Sequence, residues 1–174
     1  VVELRNKLTH LFHLLGINSS REELGRIALE SAVVTSDTLS KVEILIDDLG
    51  WAIHLQGRTQ EGRSNIGKAV AMIENLAVAT DADIVRSELA HAKAHRHLAF
   101  LAPNENGQNT HLDKCSSIIE TLKSRESLMA GFVRQITCDE AQVHHARAFL
   151  TARNIGIHVD GRILSGDINS EKLA

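Results

Sequence analysis

Apolar residues recur every three or four positions along most of this 174-residue chain, with polar residues between them. This spacing is that of one face of an α-helix, and few stretches alternate apolar and polar residues over the length of a strand. The pattern predicts an all-α protein of eight helices, followed by a polar tail or irregular element over residues 154–174. The predicted helices cover about residues 3–15, 20–34, 38–56, 59–76, 82–102, 109–123, 125–136 and 139–153.

The third predicted helix has the most regular apolar stripe in the chain. Its members are Val42, Leu45, Ile46, Leu49, Ala52 and Ile53. A stripe of this kind is expected to be buried against other elements. Gly57 follows it and suits the left-handed conformation that ends many helices. Asp47 and Asp48, within the same helix, are interpreted as a solvated face beside a groove.

Residues 49–69 follow a distinctive order. A Leu-Gly pair precedes a glycine turn, and then come a small residue, a large apolar residue and an alanine. The residues concerned are Leu49, Gly50, Ile53, Gly57, Gly62, Ile66 and Ala69. This segment resembles the tetratricopeptide repeat. Residues 4–34, 92–122 and 122–152 resemble it in part, with Gly107 at the turn of the second of these, and the long spacing is similar to that of divergent repeats in large bacterial signalling ATPases and regulators.

The resemblance implies an α-α superhelix, a TPR-like solenoid of about four antiparallel helix pairs over residues 1–153, with residues 154–174 as a tail. Stacked pairs bury a continuous core that no single pair could bury. A compact helical bundle without a true repeat is the alternative. The resemblance also implies a protein- or peptide-binding scaffold or sensor, part of a larger regulatory protein, and not an enzyme.

In stacks of this kind the first helix of each pair lines a shared concave groove. Applied to this sequence, that rule predicts a peptide-binding groove formed by Asn6, His10, His13, Asp47, Trp51, His54, Lys93, Arg96 and Phe100. Trp51 is the single tryptophan of the chain, and large aromatic side chains in grooves often anchor partners. Packing of Trp51 against a neighbouring helix is the alternative.

Composition and charge narrow the classes of partner. The 19 basic and 22 acidic residues give a net charge of -3, which does not favour nucleic acid or a membrane surface as partner. No apolar run reaches the roughly 18–20 residues that cross a bilayer. Cys115 and Cys138 have neither metal-site nor redox spacing, so we expect a cytoplasmic protein without a cofactor. The apolar stripe of the first helix leaves homo-oligomerisation open.

Ten histidines raise an alternative function. His91 and His95 lie four residues apart, His10 and His13 lie three apart, and His144 adjoins His145; two histidines on one helix face can share a metal ion. The alternative is therefore a histidine-rich helical bundle that binds a metal or small cofactor. Because Lys93 and Arg96 would repel a cation, solvated or packing histidines are favoured, and we assign no metal ligand. No local pattern indicates a catalytic residue.

Overall fold

The computed structural model describes residues 1–78 and 80–156, and only the backbone of residues 126–131. Throughout these ranges the regular structure is helical, which confirms the predicted all-α class. The helices are α1 (Val2–Leu14), α2 (Asn18–Val34), α3 (Thr38–Ile46), α4 (Ala52–Leu55), α5 (Thr59–Glu74), α6 (Asp81–Leu101), α7 (Glu105–Lys123) and α8 (Glu126–Asn154). A π-helical turn, Asp47–Trp51, joins α3 to α4. Most of the predicted tail lies outside the described residues.

Helix α6 contributes to three hydrophobic cores, two large ones and a smaller one in which Ala99 meets Leu112 of α7 and Leu150 of α8. Helices that follow one another in the chain pack together, and α6 additionally contacts α3 and α8. The first core joins α2, α3, the π turn, α4, α5 and the second half of α6, around Ile46, Ile53 and Ile66. The second joins the first half of α6 to α7 and α8, around Ile119 and Ile136. None of the described helices is both long enough and apolar enough to cross a bilayer.

The predicted stripe of the third helix is confirmed, because all six of its apolar residues are buried. The turns after α1 and after α4 then close in the same way. Gly16 and Gly57 have φ of 69° and 87°, a conformation that costs side-chain-bearing residues energy. Each donates its N–H to the carbonyl three residues earlier, at 3.1 and 2.8 Å. The next N–H bonds the carbonyl five residues before it, at 2.9 and 3.2 Å, which completes a Schellman cap.

We call α1 with α2, α3 and α4 with α5, and α6 with α7 the first, second and third hairpins. Two glycines let the second hairpin close to backbone contact. A Cβ on Gly62 of α5 would lie 2.5 Å from the carbonyl oxygen of Gly50, and a Cβ on Gly50 would lie 2.4 Å from Cγ1 of Ile66. Both distances are too short for real atoms, so only glycine fits at either position. We call this contact the glycine seam.

The predicted turn at Gly107 is wrong. Helix α7 begins at Glu105, and Gly107 lies within its first turn. The side chain of Asn104 explains the earlier start, because its Oδ1 accepts the Gly107 N–H at 2.8 Å and so caps the helix. The polar residues that suggested a loop are therefore the beginning of α7.

The two predicted helices over 125–136 and 139–153 are one helix, α8. Residues 137 and 138 are threonine and cysteine, neither of which ends a helix as glycine or proline does. Ile136 and Val143 are both buried in the second core. Their spacing of seven residues is two helical turns, so an uninterrupted helix presents both side chains to α6 and α7.

Candidate functional site

A cavity of about 620 Å³ lies between α1, α2, the π turn, α6 and α8. Its size is within the range of pockets that hold small ligands or the side chains of a bound peptide. The lining residues are Thr9, His10, His13, Arg21, Asp47, Trp51, Lys93, Arg96, His97, Phe100, Gln142, His145 and Ala146. We refer to it as the central cavity.

Most of the groove residues predicted from sequence line this central cavity. They are His10, His13, Asp47, Trp51, Lys93, Arg96 and Phe100. Asn6 and His54 are not among the lining residues. Asn6 instead accepts a hydrogen bond from Nη1 of Arg5 at 2.9 Å. The centroid of the His54 ring lies 5.1 Å from that of Trp51, and Nδ1 of His54 lies 3.0 Å from Oγ1 of Thr59. His54 therefore packs against a residue that lines the cavity.

A buried carboxylate network forms the floor beside α1 and α2. Asp48 is fully buried, and Oδ1 accepts hydrogen bonds from Arg21 Nε at 2.8 Å and from Thr9 Oγ1 at 2.6 Å. Arg5 Nε donates to the other carboxylate oxygen. Arg21 Nε also donates to Thr9 Oγ1 at 2.9 Å, which closes the network. A buried charge needs such partners, because desolvation without them is expensive.

The π turn separates the two adjacent aspartates. Asp48 belongs to the network with α1 and α2, whereas Asp47 lines the cavity and faces Lys93 Nζ at 3.2 Å and Arg5 Nη2 at 3.5 Å. Burial alone would raise the pKa of Asp47, but Lys93 and Arg5 outweigh it and hold that pKa well below its ordinary value. The interpretation of both aspartates as a solvated face is therefore wrong, because Asp48 is buried and Asp47 is mostly buried, and arginine and lysine side chains distant in sequence pair with both.

Aromatic side chains form one wall. Trp51 stacks on His97 with ring centroids 4.3 Å apart and an interplanar angle of 17°. Phe100 meets Trp51 edge-on at 5.7 Å and contacts Phe149 of α8 at 5.6 Å. Burial, and then the charge of Arg96, holds the pKa of His97 well below its ordinary value. His97 is therefore neutral near pH 7, and a neutral imidazole stacks on indole without a buried charge to solvate.

Arg96 is the least satisfied cation of the cavity. Its side chain is only 11% exposed, yet it makes no hydrogen bond to a described residue. The nearest acid is Asp139 of α8, whose Oδ1 lies 3.7 Å from Nη1. Burial lowers the pKa of Arg96 although Asp139 opposes the shift, and burial raises the pKa of Asp139 although Arg96 opposes it. This pair is largely buried, and no short hydrogen bond joins its two charges.

Three further histidines, His91, His95 and His111, form a cluster away from the cavity. Nδ1 of His95 on α6 lies 3.1 Å from Nδ1 of His111 on α7, and the His91 ring lies 4.9 Å from the His95 ring. Nε2 of His91 is buried without a partner among the described residues. Within those residues, no three histidine, cysteine, aspartate or glutamate side chains stand close enough to hold a metal ion.

Sequence reasoning missed several lining residues: Thr9, Arg21, His97, Gln142, His145 and Ala146. His97 could have been found, because it lies four residues after Lys93 on the face of α6 assigned to the groove. Arg21 and the residues of α8 carry no signal, since the groove is assigned to first helices alone. Placing them requires the tertiary packing of α2 and α8 around α6.

No protein-family model matches this chain, and no significantly similar curated protein or solved structure was found.

Proposed function

We propose that this chain is a binding domain that holds a peptide segment of a partner protein in the central cavity, and that it serves as a scaffold or sensor in a larger regulatory protein. The observation that carries the proposal is the combination of Trp51, Phe100 and Arg96 around one cavity of about 620 Å³. Tryptophan and arginine are the residues most enriched among binding hot spots. Their presence in a concave site built on helices favours recognition of a ligand without a chemical step.

The aromatic anchor of the cavity, Trp51, is held in place by its neighbours. Trp51 follows the glycine seam directly, and its ring is packed between His97, His54 and Phe100. A preorganised aromatic anchor loses little conformational entropy when a partner binds. The wall is therefore suited to take up an apolar side chain of a peptide.

We also propose that the first two hairpins are divergent tetratricopeptide-like repeats within an α-α superhelix. The matching caps at Gly16 and Gly57 support this, together with the glycine seam of the second hairpin. The position of Gly107 inside α7 gives no such support for the third hairpin.

A peptide-display library selected on the purified chain tests the binding proposal. Selected peptides are synthesised with a fluorescent label, and their dissociation constants are measured by anisotropy for the parent chain and for Trp51→Ala. We expect Trp51→Ala to weaken binding by tenfold or more, as loss of a central anchor does. Leu55→Ala is the matched control, because Leu55 is 44% exposed one turn later and does not line the cavity. Peptides that bind Trp51→Ala as tightly as the parent would refute the proposal.

A further inference from the structure

Arg96 is a largely buried guanidinium that lines the central cavity without a hydrogen-bond partner among the described residues. Arginine carries five N–H donors, and none of them bonds a described residue. A charged hydrogen bond between nitrogen and a carboxylate oxygen is usually about 2.7–2.9 Å long. Asp139 at 3.7 Å is beyond that distance, so it offsets the charge of Arg96 without satisfying its donors.

The other two permanent cations of the cavity are already engaged. Nε of Arg21 bonds Asp48 at 2.8 Å, and Nζ of Lys93 bonds Asp47 at 3.2 Å. Three cations therefore line the cavity beside one carboxylate, and of the three only Arg96 makes no hydrogen bond to a described residue. An arginine fork in this state matches the two oxygens of a planar or tetrahedral oxyanion.

An apolar surface lies one helical turn from these donors. Phe100 is four residues after Arg96 on α6, and His97 carries the stacked ring of Trp51. His97 is buried, and its Nδ1 has no hydrogen-bond partner among the described residues. A ligand with an anionic group beside an apolar or aromatic body would meet the guanidinium and the ring wall together.

We propose that Arg96 is an oxyanion subsite of the central cavity, which selects ligands carrying a carboxylate or phosphate group next to an apolar or aromatic body. This inference rests on the proposed function and names the chemistry of the peptide segment: an acidic or phosphorylated side chain beside an apolar one.

Three small probes with the same ring test the subsite without any selected peptide. They are phenylacetate, phenyl phosphate and the neutral phenylacetamide, and their dissociation constants come from Trp51 fluorescence and ligand-observed NMR. We expect at least one anion to bind tenfold or more tightly than phenylacetamide. The tighter anion identifies the source, carboxylate or phosphate. Equal binding of all three probes, or binding of none, would overturn the proposal.

Variants locate the effect at Arg96. Arg96→Gln should remove the preference for the anion, with a loss of tenfold or more, while the exposed Arg134→Gln on α8 changes net charge equally and should leave it intact. The double variant Arg96→Gln/Asp139→Asn removes both charges of the pair, so the fold is not left with an unpaired buried carboxylate. An anion preference that survives in the folded double variant would overturn the assignment.

The peptides separate failure of this inference from failure of the proposed function. Glu→Gln or phosphoserine→Ser exchange in a selected peptide should weaken binding to the parent chain and have little effect on binding to the double variant. Peptides that depend on Trp51 but bind equally with and without their anionic side chain would overturn the subsite alone. If the probes bind with anion selectivity but no selected peptide depends on Trp51, the Arg96 subsite is supported and the proposed peptide recognition is refuted.

Discussion

The first two hairpins end their leading helices with the same cap but join their helices with different chemistry. Seven residues before Gly57 lies Gly50, and five residues after it lies Gly62; these two form the glycine seam. The same offsets from Gly16 lead to Thr9 and Arg21. The structure places equivalent positions in contact in both hairpins, by backbone in one and by side chain in the other.

The first hairpin therefore has a polar seam. Arg21 Nε donates to Thr9 Oγ1 at 2.9 Å, and both side chains donate to Asp48. Thr9 and Arg21 also line the central cavity. The same cap thus occurs in two kinds of hairpin. The second hairpin joins its helices by a backbone contact and contributes to the core, whereas the first joins them by charged side chains and contributes to the central cavity.

The largest expected effect comes from removing the charge that holds the polar seam. Asp48→Asn leaves Arg5 and Arg21 buried without their main counter-charge, and breaking a buried pair in this way costs about 3–5 kcal/mol. Urea unfolding followed by circular dichroism measures the loss. The control is Glu61→Gln, because Glu61 pairs with Arg26 and Arg58 at the surface and should change stability by less than about 1 kcal/mol. A change in Asp48→Asn no larger than the control would contradict the polar seam.

The glycine seam should fail through overpacking. Gly62→Ala places a Cβ 2.5 Å from a backbone oxygen that cannot rotate away, so we expect a loss of about 3 kcal/mol, near the upper end for overpacked cores. Gly67 lies in the same helix, and a Cβ added there would meet nothing within 4 Å, so Gly67→Ala should instead stabilise by up to about 1 kcal/mol. The two single alanines, compared by the same urea titration, should thus move in opposite directions; stabilisation by both would show that the seam is loose.

Acidification should destabilise the contact between α6 and α7. The stability of the glycine-seam and polar-seam variants is therefore best compared above pH 6.5. Burial lowers the pKa of His91, His95 and His111 from 6.5, that of His95 to about 4. The unfolded chain takes up protons at about pH 6.5 before the folded chain does. The free energy of unfolding is therefore highest above that pH and should fall, on the order of 2 kcal/mol, as the pH drops toward 4.

Stability measured from pH 7.5 to 4.5 checks the histidine contribution. His95→Gln cannot be protonated and should flatten the profile, whereas the exposed His144→Gln should follow the parent. His13, His54 and His97 are shifted in the same direction, so part of the slope will remain in His95→Gln. A parent chain that gains stability on acidification would show that the cluster is not buried as described.

The smallest expected effect comes from removing the hydroxyl of the polar seam while its charged residues stay in place. Thr9→Val keeps the shape of the side chain and removes the donor to Asp48 and the acceptor for Arg21. We expect a loss of about 1 kcal/mol in the free energy of unfolding. Thr110→Val is the matched control, because the hydroxyl of Thr110 bonds only a carbonyl of its own exposed helix turn. Equal losses in both variants would mean that the seam depends on the arginine alone.

The rule taken from the repeat resemblance places seven of the nine predicted groove residues at the central cavity. Periodicity is sufficient to predict much of α1 to α6. It succeeds because each of those helices has an apolar face of its own, and residues one turn apart on that face share an environment. Asp48 shows where the method stops. Its position three residues after Leu45 and four before Ala52 puts it on the buried stripe, but its cationic partners are 27 and 43 residues away.

Helix ends are less predictable than helix faces. Asn104 and Gly107 are of types common in turns, which favours a loop, yet the capping hydrogen bond of Asn104 makes them the start of α7. In α8, the run around Asp139 has the composition of a helix start, whereas burial on both sides of it requires a continuous helix. Local composition cannot distinguish a cap from a turn, since the same side-chain hydrogen bonds serve both.

The contact between Gly50 and Gly62 has a consequence for how the molecule adapts its shape. Neither glycine has a side chain that could change rotamer, so the two backbones cannot move closer together. Trp51 follows Gly50 in the chain, and we therefore expect its backbone position to be fixed. We therefore expect any adjustment to a bound ligand to occur on the opposite side of the cavity, where side chains and not backbones join α1 to α2. For the binding function proposed above, the side of the cavity at the π turn would thus be fixed, and the side at α1 and α2 would be the one that adjusts.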